Sequence, residues 1–96
     1  MRQQNIKIIK GLIKLFGKDA AIEKIQEECQ ELALALQQFK SPTKLDKKKQ
    51  LNDIYGELAD VKIEMRKAEM IFNKKKINKI VNQKLQKKKD KYLIKK

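Results

Sequence analysis

The sequence predicts an all-α fold: an antiparallel bundle of about four helices in a single domain spanning residues 1–96. Apolar residues recur at steps of three and four rather than alternating, the signature of helices with one buried stripe. Only three glycines and one proline interrupt the chain, and aromatics make up 5% of it. A chain this short buries roughly 60–65% of its unfolded surface, so its core is marginal and completion of the bundle by dimerisation is expected.

The first helix is expected over Asn5–Phe16, where Ile6, Ile9, Ile13 and Phe16 fall at helical spacing. Gly17 suits the position just past its end, and Asp19 suits the cap of the next helix. That second helix runs to Phe39, with Ile22, Ile25, Cys29, Leu32, Leu36 and Phe39 stepping 3, 4, 3, 4, 3. Pro42 ends it by disfavouring helical backbone at Ser41. Thr43-Lys44-Leu45-Asp46 resembles a capping box with Asp in place of Glu or Gln. The third helix carries Leu51, Ile54, Leu58, Val61, Met65 and Ala68 at the same steps and is expected to stop near Asn73. A basic fourth helix over about 74–94 bears Ile77, Val81, Leu85 and Tyr92.

The second and third helices share one design. A shift of 29 residues superposes their apolar positions, and it also takes Glu28 to Glu57 and Glu31 to Asp60. On a wheel of 100° per residue, Glu28 and Glu57 sit about 60° from the centres of their apolar stripes, with Glu31 and Asp60 further round the same flank. The short connection favours an antiparallel pair about 8–10 Å apart, close enough for the four carboxylates to share a cation. Lys24 and Ala35 belong to the same stripe as Glu28 and Glu31, and Asp53 and Glu64 to that of Glu57 and Asp60; Ala35 leaves room for a ligand. Glu27 lies further outward. Clustered carboxylates destabilise one another unless a cation or protons neutralise them. With no histidine in the chain, the donors are oxygens alone, which suits Mg²⁺ or Mn²⁺ and excludes di-iron sites built on Glu-x-x-His pairs.

The net charge of +13 is divided unevenly. Between Asp19 and Phe72, nine lysines or arginines face eleven acids, whereas residues 73–96 hold eleven lysines and one acid. Basic ends around an acidic centre suit a metal-carboxylate site that holds a polyanion, and equally nucleic acid or an anionic surface. No apolar run approaches the roughly 20 residues needed to span a bilayer. The N-terminus alternates isoleucine with lysine and reads poorly as a signal peptide. One cysteine forms no internal disulfide, which is compatible with a reducing cytoplasm; Cys29 on the apolar stripe reads as a packing residue. Phe16, Phe39 and Phe72 near helix ends read as core or dimer contacts. Leu34, Ile63 and Met70 form secondary apolar positions that suggest a helical dimer.

Glu27-Glu28-Cys29-Gln30-Glu31 (EExxE), a spacer, and Gly56-Glu57-Leu58-Ala59-Asp60-Val61 (ExxD) resemble the MazG-like all-α nucleoside triphosphate pyrophosphohydrolases, especially their short phage and bacterial members. The resemblance is best from Ile22 to Phe72. It implies a MazG-like domain whose metal-binding helix pair covers about 19–72. It also implies Mg²⁺-dependent cleavage of a nucleoside triphosphate to the monophosphate and pyrophosphate in the cytoplasm, serving the nucleotide pool. The metal ligands implied are Glu28, Glu31, Glu57 and Asp60. Glu31 and Glu27 are the implied catalytic acids, Glu27 as an accessory ligand or base. Lys24 matches a phosphate-contacting lysine, although an intrahelical pair with Glu28 explains it equally. Lys84, Lys88 and Lys91 are possible equivalents of basic residues on the last helix that reach the triphosphate, or simply a solvated basic face. The family also implies a homodimer or a dimer of dimers. Asp53 departs from the pattern, standing where relatives often carry a basic residue. Two other classes compete: a basic helical protein that binds nucleic acid through its tail, and an inactive or structural relative.

Overall fold

The computed structural model describes residues 1–41 and 46–93. Four helices run α1 (Gln3–Phe16), α2 (Lys18–Lys40), α3 (Lys47–Ile71) and α4 (Lys74–Lys88), and a π-helical turn continues α4 over Lys89–Leu93. There is no strand among the described residues, and none of the helices is long and apolar enough to cross a membrane.

Each boundary has a local cause. Gly17 joins α1 to α2 at φ 92° and ψ 163°, and its amide donates to the Ile13 carbonyl at 2.8 Å. An L side chain rarely adopts that backbone, which is why glycine ends the first helix. Gly17 also precedes α2 directly, so Asp19 is not the cap; it lies in the first turn, where a carboxylate favours the helix dipole. Residues 43–45 of the expected capping box lie outside the described residues. Asp46 itself caps α3, accepting from the Lys48 amide at 2.9 Å. Asn73 does not so much end α3 as begin α4, its Oδ1 accepting from the Lys76 amide at 3.0 Å.

The main packing is between α2 and α3, an antiparallel hairpin, with α1 laid across both and α4 in contact with α3 alone apart from its own continuation. The contact face differs from the predicted seam. Ile25, Leu32, Ile54, Val61 and Ala68 are buried or half-buried as expected, but Cys29, Leu36, Leu51, Leu58 and Met65 are exposed. In their place Ala21 and Glu28 of α2, and Gln50 and Glu64 of α3, are buried. Both helices are therefore turned by about 50° toward their acidic shoulders. Equal rotation of two antiparallel partners leaves the displaced apolar residues on one common side of the hairpin and the acids on the other.

The core that results is thin. Ile9, Ala21 and Ile54 are the buried hydrophobic residues, and no large side chain is fully buried among the described residues. Phe16, Phe39 and Phe72 are all exposed, so they are not core. The radius of gyration is 17.0 Å, against about 12.5 Å for a compact chain of this length. The excess fits α4, which contains no buried residue.

Candidate metal centre

Glu28 is the centre of the acidic side. It is only 6% exposed because the rotation of α2 carries it into the helix interface. Lys24, one turn earlier, covers it: the ammonium lies 2.9 Å from Glu28 Oε1 and 3.7 Å from Glu27 Oε1. The ion-pair reading of Lys24 is thus realised. Glu28 can bring one carboxylate oxygen within 4.8 Å of those of Glu57 and Asp60, and likewise of those of Glu27 and Glu31. All the predicted acids gather around it, Glu31 and Glu27 from its own helix and the ExxD pair from α3.

Two observations fit a cation to this donor set. Oε2 of Glu28 and Oε2 of Glu57 are both buried without a hydrogen-bond partner. A buried carboxylate oxygen without a donor is costly, and a hard divalent cation is one group that satisfies several at once. Beside them opens a cleft of about 440 Å³ lined by Glu31, Asp53, Glu57 and Asp60 together with Ala35 and Gly56. Ala35, where the sequence left room for a ligand, is among the lining residues. Asp53 adds a further negative charge.

The neighbouring charges separate the two EExxE acids. The Lys24 hydrogen bond holds the Glu28 carboxyl below the usual carboxylate range, outweighing the desolvation that opposes it. Glu31 moves the other way: the Glu28 charge, and then burial, push its carboxyl up. Lys24 is itself raised by its hydrogen bond to Glu28. Glu28 is therefore the fixed anion of the site and Glu31 the acid that takes a proton more readily, a division suited to anchoring and to proton transfer respectively.

Sequence spacing missed one cation. Lys67 of α3 is buried, and its ammonium lies 3.0 Å from Glu64, also buried; its charge also lowers the Glu28 carboxyl. The i, i+3 spacing of Glu64 and Lys67 was visible, but their burial depends on the rotation of α3. Lys67 and Lys24 together edge a second cavity of about 370 Å³, walled by Leu12, Phe16, Ala20 and Ala21. The lysines of the last helix do not join the site: Lys84, Lys88 and Lys91 are exposed on α4 and its continuation, neither of which touches α2.

No protein-family model matches this chain, and neither the curated proteins nor the solved structures yield a match.

Proposed function

We propose that the protein is a Mg²⁺-dependent nucleoside triphosphate pyrophosphohydrolase of the MazG-like kind, with Mn²⁺ as a possible substitute. The observation that carries this reading is the convergence of Glu28, Glu57 and Asp60, with buried, unpartnered oxygens on Glu28 and Glu57. Glu28, Glu31, Glu57 and Asp60 would hold the metal. Bound there, it would offset phosphoryl charge and acidify a water. Glu31, whose carboxyl is pushed up, accepts the proton of the attacking water, and Glu27 at the outer edge supports it. Lys24 offsets the charge that builds on the phosphoryl oxygens. The apolar cavity between α1 and α2 suits the nucleoside, since Leu12, Phe16, Ala20 and Ala21 offer apolar lining beside Lys24, which also pairs with Glu28.

The thin core and the uncovered apolar side of the hairpin support a homodimer, built on Cys29, Leu36, Leu51, Leu58 and Met65. Cys29, Phe39 and Phe72 would then pack between chains rather than within one.

The test is pyrophosphate release from a panel of canonical and damaged nucleoside triphosphates, with and without Mg²⁺. Glu31→Gln should reduce turnover at least about a hundredfold, as loss of a general base does, while helical content is unchanged. Undiminished release by Glu31→Gln would refute the assignment of the base. No metal-dependent release from any nucleotide would refute the activity.

A further inference from the structure

The helix α4 has no role in the site just described, yet it is the most highly charged element of the chain. Nine lysines and one acid lie between Lys74 and Lys91. Every residue of α4 is exposed, and its sole contact with another helix is to α3. The helix and its π-helical continuation, Lys74–Lys88 and Lys89–Leu93, extend about 30 Å. That is roughly one lysine per 3 Å, close to the spacing of about 3.4 Å between phosphates along one strand of B-DNA.

Three of the four uncharged polar residues of α4 are ordered too. Asn78, Asn82 and Gln86 recur at i, i+4 and i+8 and so share a face, with Lys75, Lys79 and Lys89 on or beside it. Carboxamides can pair with the edge of adenine in the major groove, while lysines hold the flanking phosphates. The single acid is occupied locally: Gln86 Nε2 donates to Asp90 Oδ1 at 3.2 Å. A helix about 10–12 Å across fits the major groove of B-DNA, which is about 12 Å wide. The deep, narrow major groove of duplex RNA does not admit one.

We propose that α4 is a DNA-binding arm that lays its Asn78–Asn82–Gln86 face in the major groove of duplex DNA. Lysines along the helix neutralise the backbone phosphates and supply most of the affinity. The amide row adds a preference for A·T-containing steps. This activity is separate from the carboxylate site and does not depend on it. The apolar row of Ile77, Val81 and Leu85 lies about 100° round the helix from the amide row and so borders that face.

The experiment uses the full chain and a pool of random-sequence duplexes, with binding followed by fluorescence anisotropy across a salt series and retained duplexes sequenced. Affinity should fall steeply with salt. The triple variant Lys75→Glu, Lys79→Glu, Lys89→Glu should weaken binding and flatten the log–log salt slope by about one for each phosphate no longer neutralised. Asn78→Ala with Asn82→Ala and Gln86→Ala should keep the slope and abolish sequence enrichment. Because α4 has no buried residue, both variants should retain the fold, checked by circular dichroism. Glu57→Gln, which disables the carboxylate site, should bind DNA as the wild type does. Absence of duplex binding at low salt, an unchanged slope in the lysine variant, or enrichment that survives the amide variant would each overturn the proposal. So would equal affinity for duplex RNA or for anionic phospholipid vesicles.

Discussion

Glu28 and Glu31 are one helical turn apart and have the same side chain, yet their carboxyls move in opposite directions. The cause is the single ammonium of Lys24, which hydrogen-bonds Glu28 and leaves Glu31 facing the resulting carboxylate. The stability consequences differ in sign. Glu28, with its pKa lowered in the folded state, contributes stability above the unfolded carboxylate pKa that is lost as pH falls through the folded value. Glu31, with its pKa raised, contributes stability below the unfolded pKa that is lost as pH rises through the folded value. In metal-free solution at about pH 7, Glu31→Gln is therefore expected to unfold at a higher temperature than the wild type. The difference should vanish by about pH 3, below the ordinary carboxylate range, where Glu31 is protonated. Thermal unfolding followed by circular dichroism at both pH values checks this. A variant that is less stable than the wild type at neutral pH would contradict the repulsion.

Gly17 determines how α1 meets the hairpin. Its backbone at φ 92° and ψ 163° belongs to a region that only glycine adopts without strain. A Cβ there meets no atom within 4 Å, so any effect of substitution comes from the backbone rather than from crowding. Gly17→Ala is expected to cost about 1–3 kcal/mol, read as a lower midpoint in urea. Loss of activity in the same variant would follow from displacement of Leu12 and Phe16, which wall the cavity beside Lys24. The glycine stood out in the sequence as a punctuation mark between two periodic stretches. Its effect on the angle between α1 and the hairpin did not, because the direction taken after a glycine depends on what the following helix packs against.

The assembled chain hides few apolar side chains and shows many. Leu58 is 46% exposed and Met65 40% exposed on the same side of the hairpin as Leu36 and Leu51. A surface of this kind on so small a core suits the homodimer proposed above. The wild type is expected to run as a dimer in light scattering coupled to size-exclusion chromatography. Leu58→Glu, which puts a charge in the middle of that face, should shift it to monomer or unfold it. A monomeric wild type at high protein concentration would show that the face is not a dimer contact.

The four helices and the two acidic signatures were readable in the chain because their causes are local. Apolar spacing, a glycine, a proline and two short polar caps act within a few residues. The pairing of Glu28 with Glu57 and Asp60 was also readable, since the 29-residue offset placed matching acids on matching helices. What depended on packing was the turn of those helices about their axes. A stripe of apolar residues specifies a face only to within its own width, and the packing of the helices buries Ala21, Glu28 and Glu64 in place of Cys29, Leu58 and Met65. That rotation drew Glu28 inside, brought Lys67 to its side and turned an apolar edge outward. The position of α4 lay equally beyond local rules. Eleven of the fifteen residues of α4 are polar or charged and its four apolar side chains are all exposed, so little burial energy directs it back onto the bundle.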